Sequence, residues 1–472
     1  MIYTDVVIVG GGLAGLTSAV ALTDRGLSVT LVEASNVLGG RAQSLTDDLT
    51  GERVDLGPHI LLSQYQNMLS LLKLLGTENQ VVWQSLPRLI LVDPPNTVVM
   101  RLWPLPAPLH FAPSFLNVPQ VSWWDQLSNR RVMWQIHRLD ESDVLRLDAV
   151  NAEQHLRSMG VKAQAIDWFW RTAAMTIMNV PLELCSAGAL FRFVRYLIGR
   201  HDFLIGFSGV GLGDLFVPAA AEYIRAGGGQ ILMDTYVRQF FVEAGRFTGV
   251  RLGDGTEIRA SACIAAVTPK ALKDTLPPHW AIQHPFVKLD HFEPSPYICT
   301  YLWFADKLTR EPFWTKIWAL NNLNYDFYDL SNIRPALAGS PSLIASNCMH
   351  SIESSCLSDA DIIRKTRAEI AQYLPQAAHS EIRHARVHRV SMGITKPTPG
   401  TEQIRPDTST PIGGLYLAGD WINTGLPCSM ESAARAGWLA AESVLAAAGQ
   451  PCTLAQPLPQ LTGLSQMLSK RS

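Results

Sequence analysis

At 472 residues and 52.0 kDa, the chain has room for about two or three domains of ordinary size and for a large core. Charged residues make up 17% and hydrophobic ones 47%, with a net charge of −2. That balance argues against disorder and leaves no basic field for nucleic acid. Cys185, Cys263, Cys299, Cys348, Cys356, Cys428 and Cys452 show no CxxC or other metal-ligand spacing, and read as reduced thiols of a cytosolic protein with no metal site. Val6–Val9 is apolar, but no basic flank precedes it and no cleavage site follows, which argues against a secretory signal. No uncharged apolar run reaches the ~18 residues of a spanning helix.

Tyr3–Val9 is a short β-branched run, followed directly by Gly10-Gly11-Gly12-Leu13-Ala14-Gly15. Leu16–Arg25 then has helical apolar spacing, and Ser28–Val32 reads as a second strand ending in Glu33. This is a βαβ unit of about 30 residues, with the acidic residue where a dinucleotide site needs it. Gly10, Gly12 and Gly15 permit a tight turn that brings the backbone of Leu13 and Ala14 up to a pyrophosphate at a helix N-terminus. Glu33 would then accept the ribose hydroxyls.

After Glu33 and Ala34, a second glycine pair, Gly39-Gly40, carries Arg41-Ala42 toward the phosphates or a flavin ring. Tyr65–Gly209 holds many of the aromatics, with clusters at Trp123-Trp124, Trp134 and Trp168-Phe169-Trp170. Such clusters read as core or as pocket lining. Trp103–Leu116 and Leu190–Phe207 mix bulky apolar residues with Trp or Arg and are candidate membrane-contact segments. Ala219–Gly228 reads as a helix and Gln230–Asp234 as a strand. Val237–Glu243 and Gly249–Leu252 read as a hairpin, and Glu257–Val267 as a strand. Val237 would pack on adenine, and Ala266 would pass beneath the cofactor. Near the C-terminus, Gly414–Ala418 reads as a strand ending in the Gly419-Asp420 turn, and Ser429–Leu445 as a small-residue helix facing a flavin with its N-terminus. These pieces favour FAD over a nicotinamide cofactor.

Together the motifs resemble the flavin-containing amine oxidase and phytoene desaturase superfamily. The resemblance implies an α/β fold: a discontinuous Rossmann-like FAD-binding domain of the amine oxidase/glutathione reductase type, plus an α+β substrate-binding domain. The first would take residues 1–64, 210–270 and 402–450, the second 65–209 and 271–401, and 451–472 would be a loose tail. Val54–Leu62, which contains Gly57, Pro58 and His59, resembles the Asp-x-Gly-x-His segment of carotenoid desaturases and their squalene-associated relatives. Asp420–Pro427 followed by Met430-Glu431-Ser432-Ala433 resembles hydroxysqualene dehydroxylases, and Pro427, Ser429 and Met430 would then lie against the cofactor. Pro58, Arg171-Thr172 and Ser432 depart from that pattern.

The resemblance implies an FAD-dependent oxidoreductase acting on a long, lipophilic isoprenoid. The first expectation is reductive dehydroxylation of hydroxysqualene to squalene in hopanoid synthesis, by hydride transfer from reduced flavin supplied by an unidentified electron donor. Carotenoid- or squalene-type desaturation is the alternative, and flavin amine oxidation comes third. His59 and Tyr65 are the candidate proton donors; the alternative for His59 is a cofactor contact together with Gly57 and Pro58, or structural packing, and for Tyr65 a place in the core. The seat would be cytoplasmic, with a peripheral place at the inner face of the cytoplasmic membrane.

Overall fold

The computed structural model describes residues 1–85 and 88–470. Val6–Val9 is apolar on every side because it lies in a parallel sheet covered on both faces. The Ile2–Val9 strand runs parallel to Val29–Val32 on one side and to Glu257–Ala265 on the other. Gln230–Leu232 and Leu415–Leu417 extend the parallel part, and a hairpin of Val237–Glu243 and Arg246–Leu252 joins antiparallel. Seven strands from three distant stretches of sequence therefore make one sheet.

Leu13–Asp24 follows the first strand as a helix, and Met430–Ala447 crosses it closely. Gly437 sets the approach: a Cβ there would lie 2.5 Å from the Ala14 carbonyl oxygen, and Ser18 Oγ donates to the Gly437 carbonyl at 3.0 Å. The small residues of the C-terminal helix thus serve the helix crossing more than the sheet.

A second seven-stranded sheet has the order Ile382–Thr395, Pro294–Phe304, Leu343–Cys348, Asp326–Asp329, Phe313–Lys316, Arg88–Asp93, Asn96–Arg101. Its pairings are antiparallel except that of Phe313–Lys316 with Arg88–Asp93. The Asp359–Tyr373 helix covers one face, against Leu302, Phe304, Phe327 and Ile344. The opposite face carries Tyr297, Cys299, Tyr301 and Tyr328 and packs on a small sheet of Ile60–Leu62, Ile205–Ser208 and Val81–Trp83. Short helices between Ala112 and Ile198 form a separate apolar layer.

Two expectations are corrected here. Leu190–Phe207 does not present a membrane face, because the Ala187–Ile198 helix is internal, with Leu190, Phe191, Arg192 and Val194 buried. Its Arg192 serves a buried ion pair with Glu402 rather than lipid headgroups. The tail is not loose over its described part, since every anchor point finds a partner. Leu454 and Ala455 donate their N–H groups to Glu442, Thr462 donates to the Gly199 carbonyl, and Ser465 to the Ala107 carbonyl. Of the aromatic clusters, Trp168 and Trp170 are core, whereas Trp123, Trp124 and Trp134 are exposed. Among the described residues, no helix is long and apolar enough to cross a membrane.

Candidate active site

At the end of the first strand the chain turns at Gly10, whose φ of 105° is open to glycine. A Cβ at Gly10 would stand 2.4 Å from the Ala266 carbonyl oxygen, and one at Gly15 only 1.9 Å from the Gly10 oxygen. At Gly12, by contrast, a Cβ would meet nothing within 4 Å. Two glycines close the turn on itself and the third leaves one side open, at the N-terminus of a helix with no side-chain cap. That is the form a pyrophosphate cradle takes. Gly39, at φ 104°, donates to the Gly11 carbonyl at 2.8 Å and so stacks the second glycine pair on the first.

Glu33 lies at the mouth of this turn. Its carboxylate accepts the Gly11 N–H at 2.7 Å and the Ser35 N–H at 2.8 Å. Thr235 donates to the Glu33 carbonyl at 2.9 Å, which brings the start of the Val237 strand alongside Glu33 and Ala34. Ala266 donates to the Val9 carbonyl and underlies Gly10 and Gly15. Leu13, Ala14 and Ala42 are buried behind the turn.

Arg41 and Asp420, far apart in sequence, form a bidentate pair: Nη2 reaches Oδ1 at 2.6 Å, Nη1 reaches Oδ2 at 3.0 Å, and Nη1 also donates to the Gly393 carbonyl. Burial alone would lower the Arg41 pKa, but Asp420 more than offsets that and raises it. Behind the pair sits Arg405, a residue without a local sequence signal beyond Glu402 three positions before it. Its guanidinium donates to the carbonyls of Asp420 (3.0 Å), Ile422 (2.6 and 3.0 Å) and Leu426 (2.8 Å), and to Glu402 (3.0 and 3.2 Å). Glu402 is shared with buried Arg192, and these two cations hold its carboxyl below the usual range against the effect of burial. The Asp420–Leu426 turn is thus folded around one arginine.

Asp55 belongs to a buried knot rather than to the cofactor face. Its carboxylate accepts from Ser44 Oγ (2.5 Å), the Leu212 N–H (2.8 Å) and Arg334 (2.7 Å). Gly57 has no side chain because the Tyr297 ring fills the space: a Cβ would lie 2.6 Å from the Tyr297 hydroxyl. The Pro58 carbonyl accepts the Asn347 side-chain amide at 3.0 Å.

His59 sits deep in the fold yet faces open space. Its Nδ1 lies 2.8 Å from the Gly57 carbonyl oxygen, which can only accept, so the proton is on Nδ1 and Nε2 presents a lone pair. Burial pushes its pKa down, with Arg41 adding to the effect. Burial thus favours the neutral form of His59, with Nε2 as the acceptor. Tyr65 caps the Gln66–Leu74 helix from outside and packs on the main core. Burial, aided by Glu431, pushes its phenol up, so it gives up its proton reluctantly.

Glu431 is occupied as well. Its carboxylate accepts the Asn67 and Met68 N–H groups, each at 2.9 Å, capping that helix in trans. Ser429 caps its own helix by accepting the Ser432 N–H and also donates to the Pro427 carbonyl, with Met430 at the first helical position. Cys428 is held as a thiol, pushed up to about 12 by burial. Trp421 is buried, donates to the Val267 carbonyl and meets Phe292 edge-on, so it builds no aromatic cage.

One arrangement has no trace in the sequence. Across five strands of the second sheet, the registered partners run Thr315, Asp326, Asn347, Cys299, His388, one row on the face toward Pro58 and His59. Asp326 is 7% exposed, the only hydrogen bond to its carboxylate among the described residues comes from Thr315 Oγ1 at 2.8 Å, and burial pushes its pKa up to about 7. A folded carboxyl that binds its proton more tightly than the unfolded one loses stability as pH rises from about 4 to about 7. Asp326→Asn removes that loss, so its melting temperature exceeds the wild type's by about 2 °C more near pH 8 than near pH 5. Melting both proteins across that range checks it.

A glycine turn at a helix N-terminus, an arginine–aspartate clamp beside it and a deep, accessible histidine segment fit FAD and define an FAD-dependent oxidoreductase. The family described as flavin containing amine oxidoreductase matches residues 13–445, and the chain belongs to it. A 15-cis-phytoene desaturase of Synechococcus elongatus is 27% identical over 466 residues, covering 93% of this chain and 96% of the relative. A chloroplastic zeta-carotene desaturase of Zea mays is 24% identical, covering 92% and 82%. Among solved structures, putrescine oxidase bound to putrescine aligns at a TM-score of 0.74 and 17% identity, covering 94% and 99%. Cyclohexylamine oxidase from Brevibacterium oxydans aligns at 0.69 and 18%, with the same coverage. The last two establish the fold.

Proposed function

We propose that this enzyme exchanges hydride with a long apolar isoprenoid and works in the direction of desaturation. Similarity to phytoene and zeta-carotene desaturases supports that direction over the dehydroxylation expected from the C-terminal motif. Bound FAD supplies the hydride acceptor. The protein must supply an apolar channel and a base for the proton lost from the neighbouring carbon. The observation that carries this reading is His59: with Nδ1 on the Gly57 carbonyl its Nε2 is free of protein partners among the described residues, and the residue borders a small crevice with Asp55, Pro58, Phe207, Tyr328, Leu330 and Arg334. Arg41, Asp420, Glu33 and the three glycine positions would hold the cofactor.

A base must be unprotonated to work. With its pKa lowered, His59 does so throughout the neutral range, and the rate falls only as acid protonates it. His59→Ala should therefore lose about 100-fold in the rate of flavin bleaching by phytoene, and lose the acid limb of the pH profile, with FAD content unchanged. Full activity in that variant would remove the proposal's base.

Reductive dehydroxylation of hydroxysqualene remains a second reading, favoured by one observation. Asp326 is a buried carboxyl whose pKa burial raises to about 7, within reach of a general acid for a departing hydroxyl.

The peripheral membrane seat is part of the proposal. Its support is an exposed apolar stretch, Trp103, Leu105, Leu109 and Leu116, continued by Trp123 and Trp124, the last 70% exposed. Water does not carry such a substrate, and exposed tryptophans suit a lipid interface. Trp123→Ser with Trp124→Ser is expected to lower co-sedimentation with phospholipid vesicles severalfold while leaving the flavin spectrum alone. Unchanged co-sedimentation would move the contact elsewhere.

A further inference from the structure

From Pro94 to Leu139 the chain carries four arginines, Arg101, Arg130, Arg131 and Arg138, against one carboxylate, Asp125. With histidines neutral the stretch is +3, in a protein whose net charge is −2. It is also the stretch that holds the exposed tryptophans and leucines.

Folding does not neutralise these cations. Among the described residues none of the four arginines meets a carboxylate. Arg130 reaches only the Leu127 carbonyl, and Arg138 lies over the Trp134 ring, 5.6 Å from its centre. Asp125 is turned onto Ser122 at the start of its own helix. The acids just beyond the stretch are occupied too: Glu141 pairs with Arg192, and Asp140 and Asp143 hold Lys470 at 2.8 and 2.5 Å. Lys162, whose backbone N–H donates to Ser128 at 3.0 Å, adds one more exposed cation at the same place. The arginine-rich Ile382–Thr395 strand is different. There Arg386 lies 4.0 Å from Asp47, and Arg389 lies 2.5 Å from Asp359.

The unpaired cations and the apolar side chains share one surface. The Arg130–His137 helix buries Val132 and Ile136. Arg130, Arg131, Trp134 and Arg138, three and four positions apart, stand together on its exposed face. The Ala112–Leu116 helix packs on both the Trp123–Leu127 helix and the edge strand Asn96–Arg101. Along that strand a groove of about 310 Å³ sets Arg101 among Val99, Trp103, Pro113 and Pro119.

We infer that this face docks on an anionic phospholipid surface, with the arginines on the phosphates and the tryptophans at headgroup depth. The inference rests on the membrane seat proposed above and adds the headgroup charge that selects it. Guanidinium stays charged at any working pH and matches phosphate geometry, and tryptophan settles at the interface. Each arginine near an anionic bilayer strengthens binding by roughly fivefold. An acidic protein offers the same charge, but anchors at protein interfaces fill well-packed pockets. Here Trp124 and Leu116 stand out from the surface, 70% and 62% exposed.

The test co-sediments the FAD-loaded, full-length enzyme with vesicles of phosphatidylcholine alone and of phosphatidylcholine mixed equally with phosphatidylglycerol. The wild type is expected to bind the anionic vesicles at least about tenfold more strongly. Most of that difference should vanish at about 1 M salt, where the screening length is about 3 Å. The triple variant Arg130→Gln, Arg131→Gln, Arg138→Gln should fall to near the neutral-vesicle level with its flavin content unchanged, because these side chains are exposed. If it loses flavin, Arg131→Gln alone takes its place, with a loss of roughly fivefold expected. Removing the same charge elsewhere, through Arg225→Gln, Arg310→Gln and Arg383→Gln, should leave the preference intact. Equal binding of the wild type to both vesicles overturns the inference and leaves the membrane seat standing, as does a preference that survives the first triple variant or is lost in the second. Absence of binding to either vesicle overturns the membrane seat and the inference with it.

Discussion

Gly15→Ala is expected to leave purification without flavin and with a lowered melting temperature. The added Cβ would stand 1.9 Å from the Gly10 carbonyl oxygen and 3.2 Å from the Ala266 side chain. Backbone cannot step aside as a flexible side chain can, so the Leu13–Asp24 helix must lift from the turn. Overpacking of this kind costs about 1–3 kcal/mol or more. The same movement spoils the geometry of the helix N-terminus toward the phosphates, and FAD affinity should fall by at least about 100-fold, or about 2.7 kcal/mol.

Gly12→Ala separates the two effects. Its Cβ would meet no protein atom within 4 Å, so the fold should be undisturbed while the open side of the cradle is filled. The expected pair of results is a destabilised, colourless Gly15→Ala and a stable, colourless Gly12→Ala. The ratio of flavin to protein absorbance, together with thermal melts of the cofactor-stripped proteins, decides it. A Gly12→Ala protein that retains FAD at wild-type affinity would contradict the placement of the pyrophosphate.

Arg405→Met should be nearly as damaging although it touches no residue of the dinucleotide turn. All five of its N–H donors are used within the protein, and their acceptors are the Asp420, Ile422 and Leu426 carbonyls and Glu402. Methionine fills much of the volume and satisfies none of them. Removing one member of a buried ionic network costs about 3–5 kcal/mol, and the separate losses do not simply add. Because the same turn aims the Asp420 carboxylate at Arg41, FAD retention should fall with stability. Arg405→Lys should rescue little, since a single ammonium cannot span acceptors that a planar guanidinium reaches together. Urea unfolding with flavin content measured in parallel checks both parts. Wild-type stability in Arg405→Met would show that the turn holds its shape without the template.

The cofactor turn was legible in the sequence because its determinants are local. Gly10 to Gly15, Glu33 and Gly39 to Arg41 lie within about thirty residues, and each glycine answers a close approach that spacing alone suggests. The hidden parts depend on distant partners. Arg192 looked like a membrane flank because Glu402, which neutralises it, lies 210 positions away. Trp123 and Trp124 looked like core or pocket lining, since a tryptophan pair carries no mark of exposure until its neighbours are placed. The direction of His59, acceptor rather than donor, depends on a single carbonyl two residues away. No periodicity reveals the row through Asp326 and Asn347, because each residue comes from a different strand. Register is a property of the assembled sheet.

The most direct measurement mixes the oxidised, FAD-loaded enzyme anaerobically with long isoprenoids, phytoene and hydroxysqualene in separate runs. It follows the flavin absorbance while extracted lipids are read by mass spectrometry. Desaturation predicts bleaching of the flavin with at least one of them, together with a product two hydrogens lighter than its substrate. Flavin that stays oxidised with both lipids, while the pre-reduced enzyme converts hydroxysqualene to squalene, would contradict the direction proposed and establish the reductive reading.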